Sequence, residues 1–264
     1  MSTNSHLALW LDGPLMAWGH DSYFNHRHTA LWPTKSGIIG LLAAARGFDK
    51  LVDSHKEAVK SLAGTRMTAI RFPRQIRGEP LPLGLLNDYH TVGAYDLKRN
   101  PDDRLRVPAK AGSRAPRQNP DVTHRHYLED ARFGVVLSGL ADVLEPCVEA
   151  LSRPHWGIWF GRKSCLPAAP VLPTGAKLRT EFNDAWRDLL TAAGLDEQPI
   201  ESFDRCVELD ADADAPDLQS PSGLAAHSDS WNDQPICFGP QNHDRAFIRR
   251  RIVEFRVAKA STST

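Results

Sequence analysis

The chain has 264 residues, with 32 Lys and Arg against 32 Asp and Glu, so its formal net charge is zero; 41% of residues are hydrophobic and 24% charged. That length and balance suit a soluble protein with a sizeable core, in one large domain or two modest ones. They exclude a nucleic-acid binder that is basic overall, and leave room for a local basic surface.

In chain order, Leu7 to Leu11 (Leu-Ala-Leu-Trp-Leu) is apolar at every position, as in a strand covered on both faces, and Asp12-Gly13-Pro14 stops it. A helix is predicted from Lys35 to Arg46, because Ile38, Leu41, Leu42 and Ala45 fall on one face. Thr34 or Ser36 would cap it, and Gly47 suits the left-handed residue past its end. A second helix is expected around Ser54 to Leu62 and a strand around Thr65 to Phe72. From Phe72 to Asp121 prolines and glycines punctuate the chain, and regular structure is expected to thin. Ala131 to Gly139 reads as a strand. A helix follows to about Leu151 with Pro146 in its first turn, then a strand over Trp156 to Lys163. Phe182 to Leu190 suits a short helix. Glu208, Asp210, Asp212, Asp214 and Asp217 read as a solvated acidic loop, and Ile236 to Phe238 and Phe247 to Val257 as strands.

These elements predict an α+β protein. Residues 1–165 follow the order of a ferredoxin-like, RRM-like domain with a long basic insertion at about 91–125; residues 166–264 form a smaller β-rich part with the acidic loop at about 208–217.

The helix start Thr34-Lys35-Ser36-Gly37 resembles the tail of a P-loop. Both glycines of that pattern are missing, with Thr34 and Thr29 in their places, so a nucleotide triphosphatase is excluded. What remains is a helix N-terminus with free N–H groups, a hydroxyl and an ammonium, which suits an anion; a plain helix cap is the alternative. Lys98, Arg99, Arg104, Arg106, Lys110, Arg114, Arg117 and Arg125 face few acids, and such a surplus suits a phosphate backbone or a solvated loop. Trp18, Tyr23, Phe24 and Trp32 offer rings for base stacking; Trp18 is the better candidate, and Trp32 beside Pro33 suits packing. His26/His28 and His124/His126 alternate, but no Cys pair or carboxylate stands at ligand spacing, so no metal site is predicted. Tyr89 and His90 are adjacent, and in a strand would point to opposite faces. The four cysteines (Cys147, Cys165, Cys206, Cys237) are widely spaced, as cytosolic packing thiols are. No signal peptide or bilayer-spanning apolar run is visible, so the chain reads as cytoplasmic with no membrane role.

Five segments in order resemble the CasD family, the type I-E branch of the fifth numbered family of CRISPR-associated proteins. They are Gly13-Pro14-Leu15-Met16-Ala17-Trp18-Gly19, Pro33 through Leu42, Asp88-Tyr89-His90-Thr91-Val92, Tyr127 through Phe133, and Gly161-Arg162-Lys163-Ser164-Cys165. The resemblance implies a non-catalytic Cascade subunit in antiviral defence that caps the 5′ handle of CRISPR RNA. It also implies a thumb wedged into the guide and partners including the backbone subunit CasC and the large subunit CasA, with target DNA engaged through the complex. It carries no cofactor and no metal. On this reading Lys35, Ser36 and Gly37 hold handle phosphates, Arg162 and Lys163 form a second clamp, and Trp18 stacks or lines the groove. Thumb cations Lys98, Arg99, Arg104 and Arg106 grip the backbone, and His90 bonds a base or sugar. Two rivals stand beside it: a metal-independent endoribonuclease for precursor CRISPR RNA, using Tyr89, His90 or Lys110, and a structural adaptor that touches little RNA.

Overall fold

The structure is a computed structural model that describes residues 4–19, 25–92, 121–209, 225–235 and 247–257. Its elements in chain order are β1 (Asn4–Asp12), β2 (Leu15–Met16), β3 (His26–Arg27), α1 (Lys35–Ala45), α2 (Asp53–Ala63), β4 (Arg66–Arg71), β5 (Gln75–Ile76), β6 (Glu79–Pro80), β7 (Gly84–Val92) and β8 (Asp121–Glu129). They continue with β9 (Arg132–Leu140), α3 (Ala141–Ser152), α4 (Phe182–Ala193), β10 (Arg205–Glu208), β11 (Ala225–Pro235) and β12 (Phe247–Arg256).

A six-stranded antiparallel sheet, in the order β1-β9-β4-β10-β12-β11, forms the backbone of the molecule. The alternation of side chains along β1 explains its unbroken apolar run. Leu7, Leu9 and Leu11 join a core with Ile38, Leu42 and Leu144 of α1 and α3; Ala8 and Trp10 face the other way, into a core with Trp186, Leu189 and Leu190 of α4. Helices therefore cover both faces. Gly134 on β9 makes room for α4, since a Cβ there would stand 2.6 Å from Leu189 Cδ1. Strands from beyond residue 165 complete this sheet, and Cys206, Trp231 and Ile252 share the first core.

The outer edge of β1 is covered by an irregular stretch of chain. His6 and Arg179 exchange backbone bonds, Trp10 N donates to Val171 O at 2.7 Å, and Ala168 N donates to Asp12 O at 2.7 Å. That stretch runs antiparallel to β1 and blunts an otherwise open edge.

A second sheet stands beside the first. β8 pairs with β7 along its whole length, with β2 in antiparallel register and with β3 in parallel register. β7 and β8 are the two arms entering and leaving residues 93–120.

Several expectations need correction. Regular structure does not simply thin after Phe72, because β7 and β8 are nine residues each. Trp156 to Lys163 is not a strand. Its amides bond elsewhere: His155 N and Trp156 N donate to Ala45 O and Ala44 O, at 2.8 and 3.2 Å, on the last turn of α1. α3 starts directly off β9 at Ala141, so Pro146 falls in its second turn, not its first. Glu208 ends β10 and is buried, not part of a solvated loop; Asp210 to Asp217 lie outside the described residues, as does the expected strand at Ile236 to Phe238. Burial pushes the Cys147 thiol up to about 11 and Cys206 to about 12, so both stay protonated as packing groups.

Truncating Leu189 to Ala should leave a cavity between α4 and the sheet and cost about 2–5 kcal/mol of stability. Urea unfolding measures it, and a midpoint equal to that of the unaltered protein would mean α4 is not packed as described.

Candidate nucleic-acid interface

α1 begins where the sequence places it, with Thr34 as N-cap and its Oγ1 accepting from Gly37 N at 3.3 Å. Gly47, at φ +68°, follows its end. The anion at this helix start comes from the chain itself. Lys35 N donates to Asp233 Oδ2 of β11 at 2.7 Å, and a carboxylate there is favoured by the helix dipole. A register shift between Trp231 and Gln234 lets Asp233 reach α1.

Lys35 is buried, 1% exposed, so it is not a surface phosphate ligand. Its ammonium donates to Glu208 Oε1 at 2.6 Å, and Glu208 Oε2 accepts from Met67 N at 3.0 Å. Arg250 of β12 donates through Nη2 to Asp233 Oδ2 at 2.8 Å and stands 3.9 Å from Glu208. Two cations thus meet two carboxylates in the interior. Burial pulls the Lys35 amine below its ordinary value while Glu208 opposes that pull.

Trp18 is 0% exposed, so its ring offers no surface for a base to stack on. Its ring lies under the first turn of α1, where a Cβ on Gly37 would stand 2.9 Å from it, and packs at 6.0 Å from Phe160. Trp32 packs against Phe133 in the core. Tyr23 and Phe24 lie outside the described residues, as do Lys98, Arg99, Arg104, Arg106 and Lys110.

Above Trp18 lies an open groove of about 920 Å³. One wall is α1, where Ser36, Gly37, Gly40 and Ala44 present small side chains; the other is the 156–162 loop, with Trp156, Trp159 and Arg162, joined by Arg27 of β3. Trp156 is 45% exposed. Lys163 Nζ sits 5.7 Å over the Trp159 ring. Arg162 is fixed from three sides: Nη1 donates to His126 O at 3.1 Å, Nη2 to Arg27 O at 2.8 Å, and its guanidinium lies 4.6 Å over Tyr127. Gly161 permits this placement. It holds φ +87°, and a Cβ there would fall 1.8 Å from Ala17 O. Of the residues that the sequence singles out, Ser36, Gly37 and Arg162 line this groove, with Lys163 beside it; Trp156, Trp159 and Arg27 line it as well and carry no such signal in the sequence. The two tryptophans were hidden by their assignment to a strand.

On β7, His90 and Asp88 share a face, with Nδ1 3.8 Å from Oδ2, while Tyr89 points to the other face against His124. Tyr89 and His90 therefore do not converge. Among the described residues, no group of three or more His, Cys, Asp or Glu is arranged to hold a metal ion, and no helix is long and apolar enough to cross a membrane.

A family described as "CRISPR-associated protein (Cas_Cas5)" matches residues 6–236. Over 172 residues the chain is 29% identical to the CRISPR system Cascade subunit CasD of Escherichia coli (strain K12), covering 63% of this chain and 69% of that one. Among solved structures, a chain of a CRISPR RNA-guided surveillance complex superposes with TM-score 0.61 at 26% identity, over 95% of this chain and 90% of that chain. A crystal structure of a Cas protein superposes with TM-score 0.55 at 28% identity, over 94% and 93%.

Replacing Lys35 with Met strands a buried carboxylate and should cost about 3–5 kcal/mol in urea unfolding. Adding Glu208→Gln to that variant should recover part of the loss, because the stranded charge is removed. A Lys35→Met protein of full stability would contradict the buried pair.

Proposed function

The chain belongs to the Cas5 family of CRISPR-associated proteins, and we propose that it is the type I-E Cascade subunit that binds the guide RNA and caps its 5′ handle without cutting it. The observation that carries this reading is the groove between α1 and the 156–162 loop, where the exposed ring of Trp156, the half-buried ring of Trp159 and cations stand beside a wall of small side chains. Single-stranded RNA is held by that combination: rings stack on unpaired bases, cations and N–H groups meet phosphates. Trp156 and Trp159 stack, Arg27, Arg162 and Lys163 meet the backbone, and Ser36 and Gly37 allow close approach of the chain to the helix.

The topology supports a ferredoxin-like reading of the first part. β1, β9 and β4 stand in the order of its first, third and second strands, and the stretch 168–179 lies where the fourth would run. In RRM-type domains the open sheet face carries the stacked bases. Here α4 covers that face, so RNA is routed to the groove and the second sheet.

The arms β7 and β8 bear the basic insert, whose Lys98, Arg99, Arg104 and Arg106 then serve as the thumb that grips the guide, with His90 at its root. CasC, CasA and, through them, target DNA are the partners of such a cytoplasmic complex. The endoribonuclease alternative draws no support from the geometry, since Tyr89 and His90 face apart.

Titration of the complex with a labelled RNA copying the repeat-derived leading end of the guide tests this. The Arg162→Ala, Lys163→Ala variant should lower the salt slope by about 1.4, from about 0.7 per lost single-strand phosphate contact. Trp156→Ala should weaken binding by about 1–3 kcal/mol. Unchanged slope and affinity in both would overturn the groove as the RNA site.

A further inference from the structure

The two alternating histidine pairs, nearly a hundred residues apart, come together in the fold. β3 and β8 pair in parallel register with His26 opposite His124 and Arg27 opposite Arg125. Alternation then puts His26, His28, His124 and His126 on one face. Their rings touch in sequence: His26 stacks on His124 at 5.1 Å and 6°, His26 on His28 at 6.1 Å, and His28 meets His126 at 4.8 Å. The Nδ1 atoms of His28 and His126 are 2.9 Å apart, so one donates and the other accepts.

What faces this quartet decides what it can bind. From β7, Asn87 lies opposite His126, and Tyr89 lies opposite His124 with its ring edge-on at 5.4 Å. Arg162 reaches in from the groove loop to the carbonyls of His126 and Arg27. Asp88, His90, Arg125, Tyr127 with the Arg162 guanidinium over it, and the side chain of Arg27 belong to the reverse face. Among the described residues of β3, β7 and β8, the face of the quartet carries no carboxylate. Four imidazoles thus have neutral groups for company and no internal anion to balance a proton.

We infer that this histidine face is a proton-linked phosphate site for the backbone of single-stranded RNA, lying between the groove and the arms of the basic insert. It rests on the RNA-binding reading above and extends it to a second surface. Arg162, which lines the groove, bonds the backbone carbonyls of His126 and Arg27, so the groove ends at the strand edge that carries the quartet. Without RNA, the partly desolvated position of His126 and then its neighbours His28, His124, His26 and Arg162 hold that imidazole below its ordinary value. An arriving phosphate reverses the balance. It favours the charged imidazole, so RNA binding takes up protons, and affinity rises as pH falls through the imidazole range.

The test is anisotropy titration of the full chain with the same labelled guide-end RNA at constant salt, from pH 7.5 to 5.5. One linked proton raises affinity by up to about tenfold per pH unit, so the unaltered protein should gain at least about tenfold across the range. His26→Gln with His28→Gln, both exposed and outside the core, should lose most of the pH slope and, at pH 5.5, bind several-fold more weakly than the unaltered protein. Asn87→Asp, which plants a carboxylate opposite His126, should weaken RNA binding and flatten the slope. Equal slopes in the unaltered and double-histidine proteins would overturn the inference. So would tight binding with a flat profile, or undiminished affinity in Asn87→Asp, and each leaves the groove reading standing. No binding at any pH would overturn both.

Discussion

The arrangement of the interface depends on four charges sealed inside the molecule. Lys35 and Arg250 meet Glu208 and Asp233 at the point where α1 crosses the far half of the main sheet. Taking four charges out of water is costly, and the cluster persists because nearly every polar atom finds a partner. Among the described residues Arg250 Nη1 lacks a hydrogen bond, and it still faces Glu208 at 3.9 Å. The consequence is positional. The first turn of α1, which forms one wall of the groove, is tied to β10, β11 and β12 and cannot drift from them. Segments nearly two hundred residues from Lys35 in sequence thereby set the position of the wall.

The other wall depends on backbone geometry. The loop after α3 is docked on the last turn of α1, and its sharp corner at Gly161 passes against Ala17 at a distance no side chain would allow. That corner presents Arg162 between the groove and the second sheet. The guanidinium is thus spent on holding two strands' carbonyls and covering Tyr127, which fixes its charge in place before any ligand arrives. A preplaced cation loses less freedom on binding than a mobile surface lysine.

Much of the core was legible. The apolar run of β1 announced a strand covered on both faces, and Thr34, the apolar stripe and Gly47 marked α1 nearly to the residue. What failed has physical causes. β8 (Asp-Val-Thr-His-Arg-His-Tyr-Leu-Glu) is polar on both faces over much of its length, so its strand character comes from partners, not composition. Trp156 to Phe160 has strand-like residues but no ladder to join. Lys35 and Glu208 look like surface charges in a linear reading, because burial and pairing across 173 residues have no local signature. The histidine pairs were visible, but only the parallel register of β3 and β8 brings them together.

These features converge on a surface where aromatic, cationic and protonatable groups adjoin, while the broad sheet face is closed by α4. The most direct measurement is ultraviolet crosslinking of guide RNA within the purified complex, with the attached peptides of this chain identified by mass spectrometry. The account predicts crosslinks at the 5′ end of the guide to the 156–163 loop and to β8. Crosslinks confined to α4, or none to this chain, would contradict it.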